Sequence, residues 1–333
     1  MSEFHTTVNG LIDSYKAHRH SPYRRKLRFG TRKNYDSLMS RIARDIGTAR
    51  LSSLNGDKLI DLHDQWTQNG KKIPIGHSLI GMLRTLVGFG FTFLEDEECD
   101  RLSRVLHKMR FEMGKSRSER LTAAQADAIR TTARTMNLAS IALAQAFQFE
   151  GMLRQRDCVG EWVPDTEPGE SDVRWRGMKW LRGITWQEVD EHLILRHVTS
   201  KRQKLVEKDL KLMPMVLVEL QSAYCDLGEP LTRAKLPARG PIVVNEEHGQ
   251  PYMTHTFRRT WRAVARAAGV PDAVKNMDSR AGAISEATDA GADLEHIRHA
   301  ATHSDIAMTQ RYSRGGAEKD AKVQAQRVAH RGS

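Results

Sequence analysis

The chain has 333 residues, a length that predicts two domains of about 100–200 residues each. It contains 52 Lys and Arg against 41 Asp and Glu, which gives a formal net charge of +11 at pH 7. Three widely spaced cysteines, Cys99, Cys158 and Cys225, argue against a disulfide framework. With no evident membrane-spanning run or secretory signal, we expect a cytoplasmic protein without a membrane partner. The basic excess favours a polyanionic partner, because Lys and Arg replace the counterions that condense on phosphates.

The first hundred residues predict a helical domain. Apolar side chains recur at positions i, i+3, i+4 and i+7 over residues 8–15 and over residues 35–42, which is the period of an amphipathic helix. Residues 78–94 are apolar almost all round and predict a buried core helix. Between the two amphipathic helices we expect a basic connector, in which Tyr23 and Phe29 are interleaved with Arg24, Arg25, Lys26, Arg28, Arg32 and Lys33.

A polar, basic stretch at residues 113–120 predicts an interdomain linker. A new helix is expected directly after it, with Thr122 as its N-cap. Further helices are predicted over residues 139–150, 216–227 and 254–268 and from Arg280 to the end. Three β-rich runs separated by polar turns predict one small antiparallel sheet, and they lie at residues 183–190, 192–198 and 205–214. The expected fold class is therefore mainly α with a small antiparallel β-sheet (α+β).

The most informative stretch is MDSRAGAISEATDAGADLEHIRHAATHSDIAMTQRYSR at residues 277–314. It resembles the end of the catalytic domain of the tyrosine recombinase (phage integrase) family, which reads H-x-x-R, a Gly-containing turn and G-H-S-x-I-x-x-T-x-x-Y. The spacings agree, since Tyr312 follows His303 by nine positions (312 − 303 = 9) and Arg280 precedes it by 23 (303 − 280 = 23). The matching residues are Arg280, Gly291, His303, Ser304, Ile306, Thr309 and Tyr312.

The resemblance extends upstream in the same order. FEGMLRQRDCVG resembles the helix that carries the first arginine of the family, here Arg154, with Asp157 where an acidic residue usually follows. We expect Asp157 to be a structural partner for a nearby cation. GITWQEVD resembles the first strand of the family, and HVTSKRQKLVEKDLKLMP resembles the hairpin with the catalytic lysine, which Lys201 matches best and Lys204 second.

The resemblance implies a transesterification at phosphate through a covalent 3′-phosphotyrosine on Tyr312. Arg154 and Arg280 would grip the nonbridging oxygens, since guanidiniums bind phosphate bidentately. The resemblance gives Lys201 the role of protonating the leaving 5′-hydroxyl, and His303 that of hydrogen bonding a phosphate oxygen. Because the phosphotyrosine preserves the bond energy, the reaction needs no cofactor, neither ATP nor a metal.

Three features depart from the family pattern. Met277 stands where the first histidine of H-x-x-R is usual, and a thioether cannot exchange a proton; its loss would slow cleavage roughly 10²–10⁴-fold if that group is a general base. Asp278 is the neighbouring candidate for compensation. Thr302 stands where Gly usually precedes the histidine. Residues 160–182 form a longer insertion than usual, which we expect to be a surface loop.

By resemblance, residues 1–112 would be a helical core-binding (SAM-like) DNA-binding domain and 121–333 the catalytic domain. The family implies a homotetramer on two double-stranded DNA sites, accessory DNA-bending proteins as further partners, and integration or excision of a mobile element. We expect the cations of the basic connector to contact DNA phosphates. Two alternatives stay open: a DNA-binding relative whose cleavage has decayed, favoured by Met277, and a type IB topoisomerase-like enzyme that acts without paired sites.

Overall fold

A computed structural model of the protein describes residues 6–114, 117–307, 309 and 316–331. The chain divides into two compact units, Met1–Arg117 and Ser118–Ser333. The predicted class, mainly α with small antiparallel sheets, is confirmed.

The first unit is helical in its described residues. Its helices are α1 (Val8–Ala17), α2 (Pro22–Arg25), α3 (Phe29–Ile46), α4 (Gly56–Thr67), α5 (Ile73–Phe89) and α6 (Glu97–Lys108). Polar side chains begin four of them, because Thr7, Ser21, Asn55 and Asp96 each accept a hydrogen bond from a backbone N–H in the first turn, which satisfies an otherwise unpaired donor. The core is built from the apolar faces of these helices, with Met39, Ile42, Trp66 and Leu86 fully buried.

The expectation of a basic connector was wrong, because residues 22–33 are mostly helical. Ser21 accepts a hydrogen bond from Tyr23 N–H at 3.2 Å and Pro22 occupies the first turn of α2, where its missing N–H costs nothing. The Tyr23 hydroxyl donates to Asp36 on α3 at 2.8 Å. The segment is thus a helical corner that a tyrosine anchors to α3.

The apolar segment at residues 78–94 belongs to a helix that is longer than predicted. Ile73–Leu94 is long and apolar enough to cross a membrane by length and composition alone, which our sequence analysis overlooked. Its C-terminal part is a π-helical turn, Gly90–Leu94. Seven of its side chains lie in the core of the first unit, so the predicted role as a core helix is confirmed.

The second unit combines helices with two small sheets. Its elements in chain order are α7 (Ala123–Thr135), α8 (Ala139–Phe149), α9 (Gln155–Val159), β1 (Glu161–Pro164), β2 (Arg174–Trp175), β3 (Met178–Leu181), β4 (Ile194–Val198), β5 (Leu205–Asp209), α10 (Pro214–Tyr224), α11 (Thr254–Ala267), α12 (Asp278–Asp289), α13 (Leu294–Ala300) and α14 (Gly316–Arg331). The predicted N-cap is confirmed, since Thr122 and Gln125 form a reciprocal capping box.

Two predictions about strands were wrong. Residues 160–182, expected to be a surface loop, contain a three-stranded antiparallel sheet of order β1-β3-β2. Trp162 pairs with Trp180 across it, and both are buried with their indole N–H groups donating to the backbone carbonyls of Pro251 and Val159. The described residues of the second unit therefore hold two sheets, and the second is the β4–β5 hairpin.

Residues 183–190, expected to be a strand, instead form a 3₁₀ turn at Trp186–Glu188. The Glu188 carboxylate accepts from the backbone N–H of Thr185 at 2.8 Å and from its hydroxyl at 3.2 Å. Such local bonds compete with strand pairing, and this segment makes only isolated bridges to Pro241 and Leu195.

Helix α12 lies against the start of the second unit at a close approach. Leu121 N–H donates to the Asp278 carbonyl at 3.2 Å, and a Cβ on Gly282 would lie 1.7 Å from the Leu121 carbonyl oxygen. Only glycine permits this contact. Ser279 of α12 and Trp261 of α11 both hydrogen-bond to the buried Gln145 of α8, which fixes the N-terminal end of α12 against the core.

Candidate active site

The first arginine, Arg154, directly precedes α9 and lies beside a buried carboxylate. Its backbone N–H donates to Asp157 Oδ2 at 3.3 Å, and its Nη1 lies 3.8 Å from the same oxygen. The Arg154 side chain is 23% exposed, whereas Asp157 is fully buried. Asp157 therefore fixes the base of the Arg154 side chain and leaves its guanidinium accessible.

The other oxygen of Asp157 reaches the β4–β5 hairpin. Oδ1 accepts from the backbone N–H of Ser200 at 2.7 Å, so one buried carboxylate connects α9 to the hairpin turn. Lys201 follows directly and is exposed on that turn, as is Lys204. The hairpin thus presents two lysines at its tip, with the residue before Lys201 held in place by Asp157.

The second arginine, Arg280, projects from the first turn of α12. Its Nη1 donates to the Met152 carbonyl at 2.5 Å, two residues before Arg154. The guanidinium is partly buried. The two arginines are therefore joined through a short piece of backbone.

The turn that follows α13 in the chain places His303 next to the two arginines. Ile284 on α12 packs with Ile297 and Ala301 in a small apolar cluster, which holds α13 onto α12. Thr302 follows in the left-handed region with φ +52°, and its hydroxyl oxygen accepts from Arg154 Nη1 at 3.3 Å. The turn therefore contacts Arg154 directly.

His303 is buried, with 3% of its surface exposed, and its Nδ1 is hydrogen-bonded to Thr309 Oγ1 at 3.0 Å. Burial, together with the positive charges of Arg280 and Arg154, lowers the pKa of His303 to about 4. Since both arginines act on it, Arg154, Arg280 and His303 form one cluster of positive charge around a neutral imidazole. We call these three residues the arginine–histidine cluster.

A lysine that the sequence analysis did not single out also lies at this cluster. Lys208 on β5 donates from Nζ to the Ala300 carbonyl at the end of α13, at 3.0 Å. Burial lowers its pKa to about 8, and the charge of Arg280 contributes. The signal that could have found it is strand alternation, which puts Lys208 on the same face as the buried Val206.

Comparisons with known proteins give one family match and several similar folds. Residues 178–318 match the sequence profile of the phage integrase family. Over this stretch the chain is similar to the phage integrase family. A comparison with curated proteins gives no match.

Solved structures share the fold of this chain. A dimer of lambda integrase residues 75–356 bound to a COC′ core site has a TM-score of 0.67 at 14% identity, over 93% of this chain and 96% of that one. A lambda integrase tetramer bound to a Holliday junction has a TM-score of 0.67 at 14% identity, over 92% and 77%. The Tn1549 transposon integrase with circular intermediate DNA has a TM-score of 0.62 at 13% identity, over 96% and 99%.

The structure brings together some of the residues predicted from the phage integrase pattern. Arg154, Arg280 and His303 form the cluster described above, whereas Lys201 is exposed at the hairpin tip. Tyr312 lies outside the described residues. Within the described residues, no group of three or more His, Cys, Asp or Glu side chains could hold a metal ion.

Two departures from the phage integrase pattern have structural counterparts. Met277, in place of the usual histidine, is 67% exposed at the start of α12. Its neighbour Asp278 is buried, and its carboxylate accepts from the Lys275 backbone N–H at 2.8 Å, so it caps its own turn. Thr302 occupies a left-handed position, where a residue without a Cβ is preferred, which accounts for the glycine that is usual there.

The six cations that were predicted to contact DNA lie on α2, at the start of α3 and between these two helices. Arg24, Arg25, Lys26 and Lys33 are exposed, and Arg28 and Arg32 are partly buried. Arg24 and Arg32 donate to the backbone carbonyls of Ala17 and Leu27, and Arg25 contacts His20 at 3.1 Å. These contacts tie the arginine side chains to their own unit.

Proposed function

We propose that the protein is a site-specific DNA recombinase or integrase that cuts and rejoins DNA through a 3′-phosphotyrosine at Tyr312, for the integration or excision of a mobile element. The observation that carries this proposal is the arginine–histidine cluster, which lies at the family's motif residues. Two guanidiniums around a neutral imidazole suit a phosphodiester whose charge grows in the transition state. The chain would act on double-stranded DNA in the cytoplasm.

In this mechanism, Arg154 and Arg280 hold the nonbridging oxygens of the scissile phosphate. The Tyr312 hydroxyl loses its proton to solvent and its oxygen attacks phosphorus; the bond to the 5′ oxygen breaks, and Lys201 supplies the proton to that oxygen. In the tautomer in which His303 Nδ1 accepts from Thr309, the other ring nitrogen carries the proton and donates to a phosphate oxygen. Attack by a 5′-hydroxyl reverses these steps and releases the tyrosine, so no external energy source is consumed.

The first unit is proposed to bind DNA through the exposed cations of α2 and α3. These would contact phosphates without reading bases, and binding through them should weaken steeply with salt. The lambda integrase tetramer was solved on a Holliday junction, and we propose a homotetramer on two DNA sites here, aided by DNA-bending proteins. The proposed divisions are 1–112 for DNA binding, 113–120 as linker and 121–333 for catalysis.

A second candidate function is a DNA-binding relative without cleavage. The observation in its favour is Met277, which cannot move a proton, beside an Asp278 carboxylate already bonded to the Lys275 backbone. A topoisomerase-like activity is the third candidate, and it differs because it would relax supercoiled DNA that lacks the paired sites.

The test incubates the protein with DNA from the flanks of its own gene, nicked so that the cleaved fragment diffuses away. We expect a covalent protein–DNA band on denaturing gels for the wild type and none for Tyr312→Phe. Tyr224→Phe is the matched control, because this tyrosine packs edge-on against Trp186 and should leave the band unchanged. DNA binding without any band would favour the non-cleaving relative, and relaxation of plasmids without flanking sites would favour the topoisomerase.

A further inference from the structure

Lys208 stands at a strand position where an apolar residue is expected. It lies directly opposite Leu195 in the hairpin register, and Leu195 is fully buried. Arg196 lies on the outer face of the hairpin, where it donates to Glu207 of the paired strand at 2.7 Å. The lysine is therefore on the inner face of the hairpin, among residues of the core.

The Lys208 ammonium contacts the end of α13. The Ala300 carbonyl that accepts its hydrogen bond belongs to the last turn of that helix, where carbonyls lack intrahelical partners and a cation is favoured. Thr302 and His303 follow within three residues. Holding Ala300 therefore also holds the turn that contacts Arg154 and carries the buried imidazole.

The surroundings of Lys208 make its charge unfavourable in the free protein. Burial removes the hydration of the ammonium group and Arg280 on α12 repels it, so the pKa of Lys208 falls to about 8. Other ionisable groups on the adjoining elements include Arg154 and Asp157 at α9, the His197–Glu188 pair on its own hairpin face, and, on and after α13, Glu295, His296, Arg298, His299 and His303. An apolar residue facing Leu195 would pack without this penalty, and such locally unfavourable choices are typical of functional sites.

We propose that Lys208 is a positioning residue of the phosphate site, which fixes the α13 turn through Ala300 and adds a third positive charge beside Arg280. This inference rests on the proposed function, since the ligand it serves is the scissile phosphate. A phosphate between these cations would relieve the repulsion that Arg280 exerts on Lys208. Binding of target DNA should therefore favour the protonated lysine.

If bound DNA favours the protonated lysine, the protein takes up a proton on Lys208 when it binds DNA above pH 8. Since the free protein has lost this proton there and the complex keeps it, the Kd for target DNA should rise by at most about tenfold per pH unit above pH 8. Below pH 8 the lysine is protonated in both states, so this contribution to the pH dependence disappears.

The experiment measures Kd by fluorescence anisotropy from pH 6.5 to 9.5 on flanking-site DNA, in a Tyr312→Phe background that cannot cleave. Lys208→Met should bind more weakly at pH 7, with a flatter profile above pH 8. Lys208→Arg should restore the binding at pH 7 and also flatten the profile, because a guanidinium keeps its charge. Lys211→Met, which removes an exposed lysine three positions away, should follow the parent profile.

The inference is overturned if Lys208→Met keeps the parental slope above pH 8, or if Lys208→Arg retains that slope. Melting curves recorded in parallel identify a variant that fails to fold, and in that case the arginine variant alone decides. The proposed function is judged separately by the covalent band of the wild-type protein with Tyr312 intact. A missing band would reject cleavage, whereas the pH profile of binding would still decide the role of Lys208.

Discussion

The hydroxyl oxygen of Thr302 accepts a hydrogen bond from Arg154 Nη1 at 3.3 Å while the Thr302 backbone is held at φ +52°. A β-branched residue in the left-handed region is an outlier, and such strain persists where the surrounding structure enforces it. The strained residue is buried and contacts a proposed catalytic arginine. We interpret the strain as the cost of giving Arg154 a hydroxyl partner that the usual glycine could not supply.

Thr302→Gly should separate stability from activity. Removing the Cβ relieves the left-handed strain, and we expect a gain of about 1 kcal/mol in the free energy of unfolding. The same change deletes the partner of Arg154, so single-turnover cleavage should slow by about tenfold, on the basis of about 1.4 kcal/mol per decade. Chemical denaturation and the covalent-band assay measure the two effects. Thr302→Ser, which keeps the hydroxyl, is the control and should cleave like the wild type.

Asp157 should act as a structural connection between α9 and the hairpin. In Asp157→Ala the backbone N–H of Ser200 loses its acceptor in a buried site, which costs about 1–3 kcal/mol of stability. The turn before Lys201 is then less well fixed, so we expect slower cleavage as well. In Asp157→Asn an oxygen remains for the Ser200 N–H, and most of the stability should remain. Equal losses in both variants would argue instead for a role of the negative charge.

Gly282 should tolerate no side chain. A Cβ there would meet the Leu121 carbonyl oxygen at 1.7 Å, so α12 must shift, and we expect Gly282→Ala to destabilise the protein by about 1–3 kcal/mol. Because α12 carries Arg280, cleavage should weaken too. The control is Gly81→Ala on α5, where nothing lies within 4 Å of the new Cβ and the lower backbone entropy should stabilise by about 0.5–1 kcal/mol. Urea unfolding distinguishes the two.

His303 should make the protein sensitive to mild acid. Its pKa is about 4 in the folded protein, against an ordinary value of 6.5, so between these values the unfolded chain binds a proton that the folded chain does not. This contribution to stability is therefore present above pH 6.5 and is lost as the pH falls toward 4, by up to about 3 kcal/mol. Urea unfolding of the wild type and His303→Asn at pH 7 and pH 4.5 measures it. A wild-type loss no larger than that of the variant would contradict the prediction.

Much of the α-helical fold could be predicted from the sequence, because amphipathic periods and caps are local signals. Thr122 at the start of α7 is an example, since its hydroxyl and Gln125 form the capping box that its position suggested. The motif around Arg280 and His303 likewise pointed to residues that the structure brings together.

The predictions that were wrong or missing concern residues whose environment is set by tertiary contacts. The strand β2 has only two residues, Arg174–Trp175, too few for a pattern to be recognised. At residues 183–190 the Glu188 side chain favours a local turn over strand pairing. Lys208 was passed over because charged residues in hairpins are usually solvated, and only the register against Leu195 reveals that it faces inward.

The central claim is that the arginine–histidine cluster serves a tyrosine nucleophile, and mass spectrometry of the covalent complex tests it most directly. The wild-type protein would be trapped on the nicked flanking DNA, digested with nuclease and trypsin, and searched for a peptide that carries a nucleotide. We predict the nucleotide on Tyr312 through a 3′-phosphate, with the modified peptide absent in Tyr312→Phe and strongly reduced in Arg280→Ala. A nucleotide attached to any other residue, or a 5′-phosphate linkage, would contradict the account.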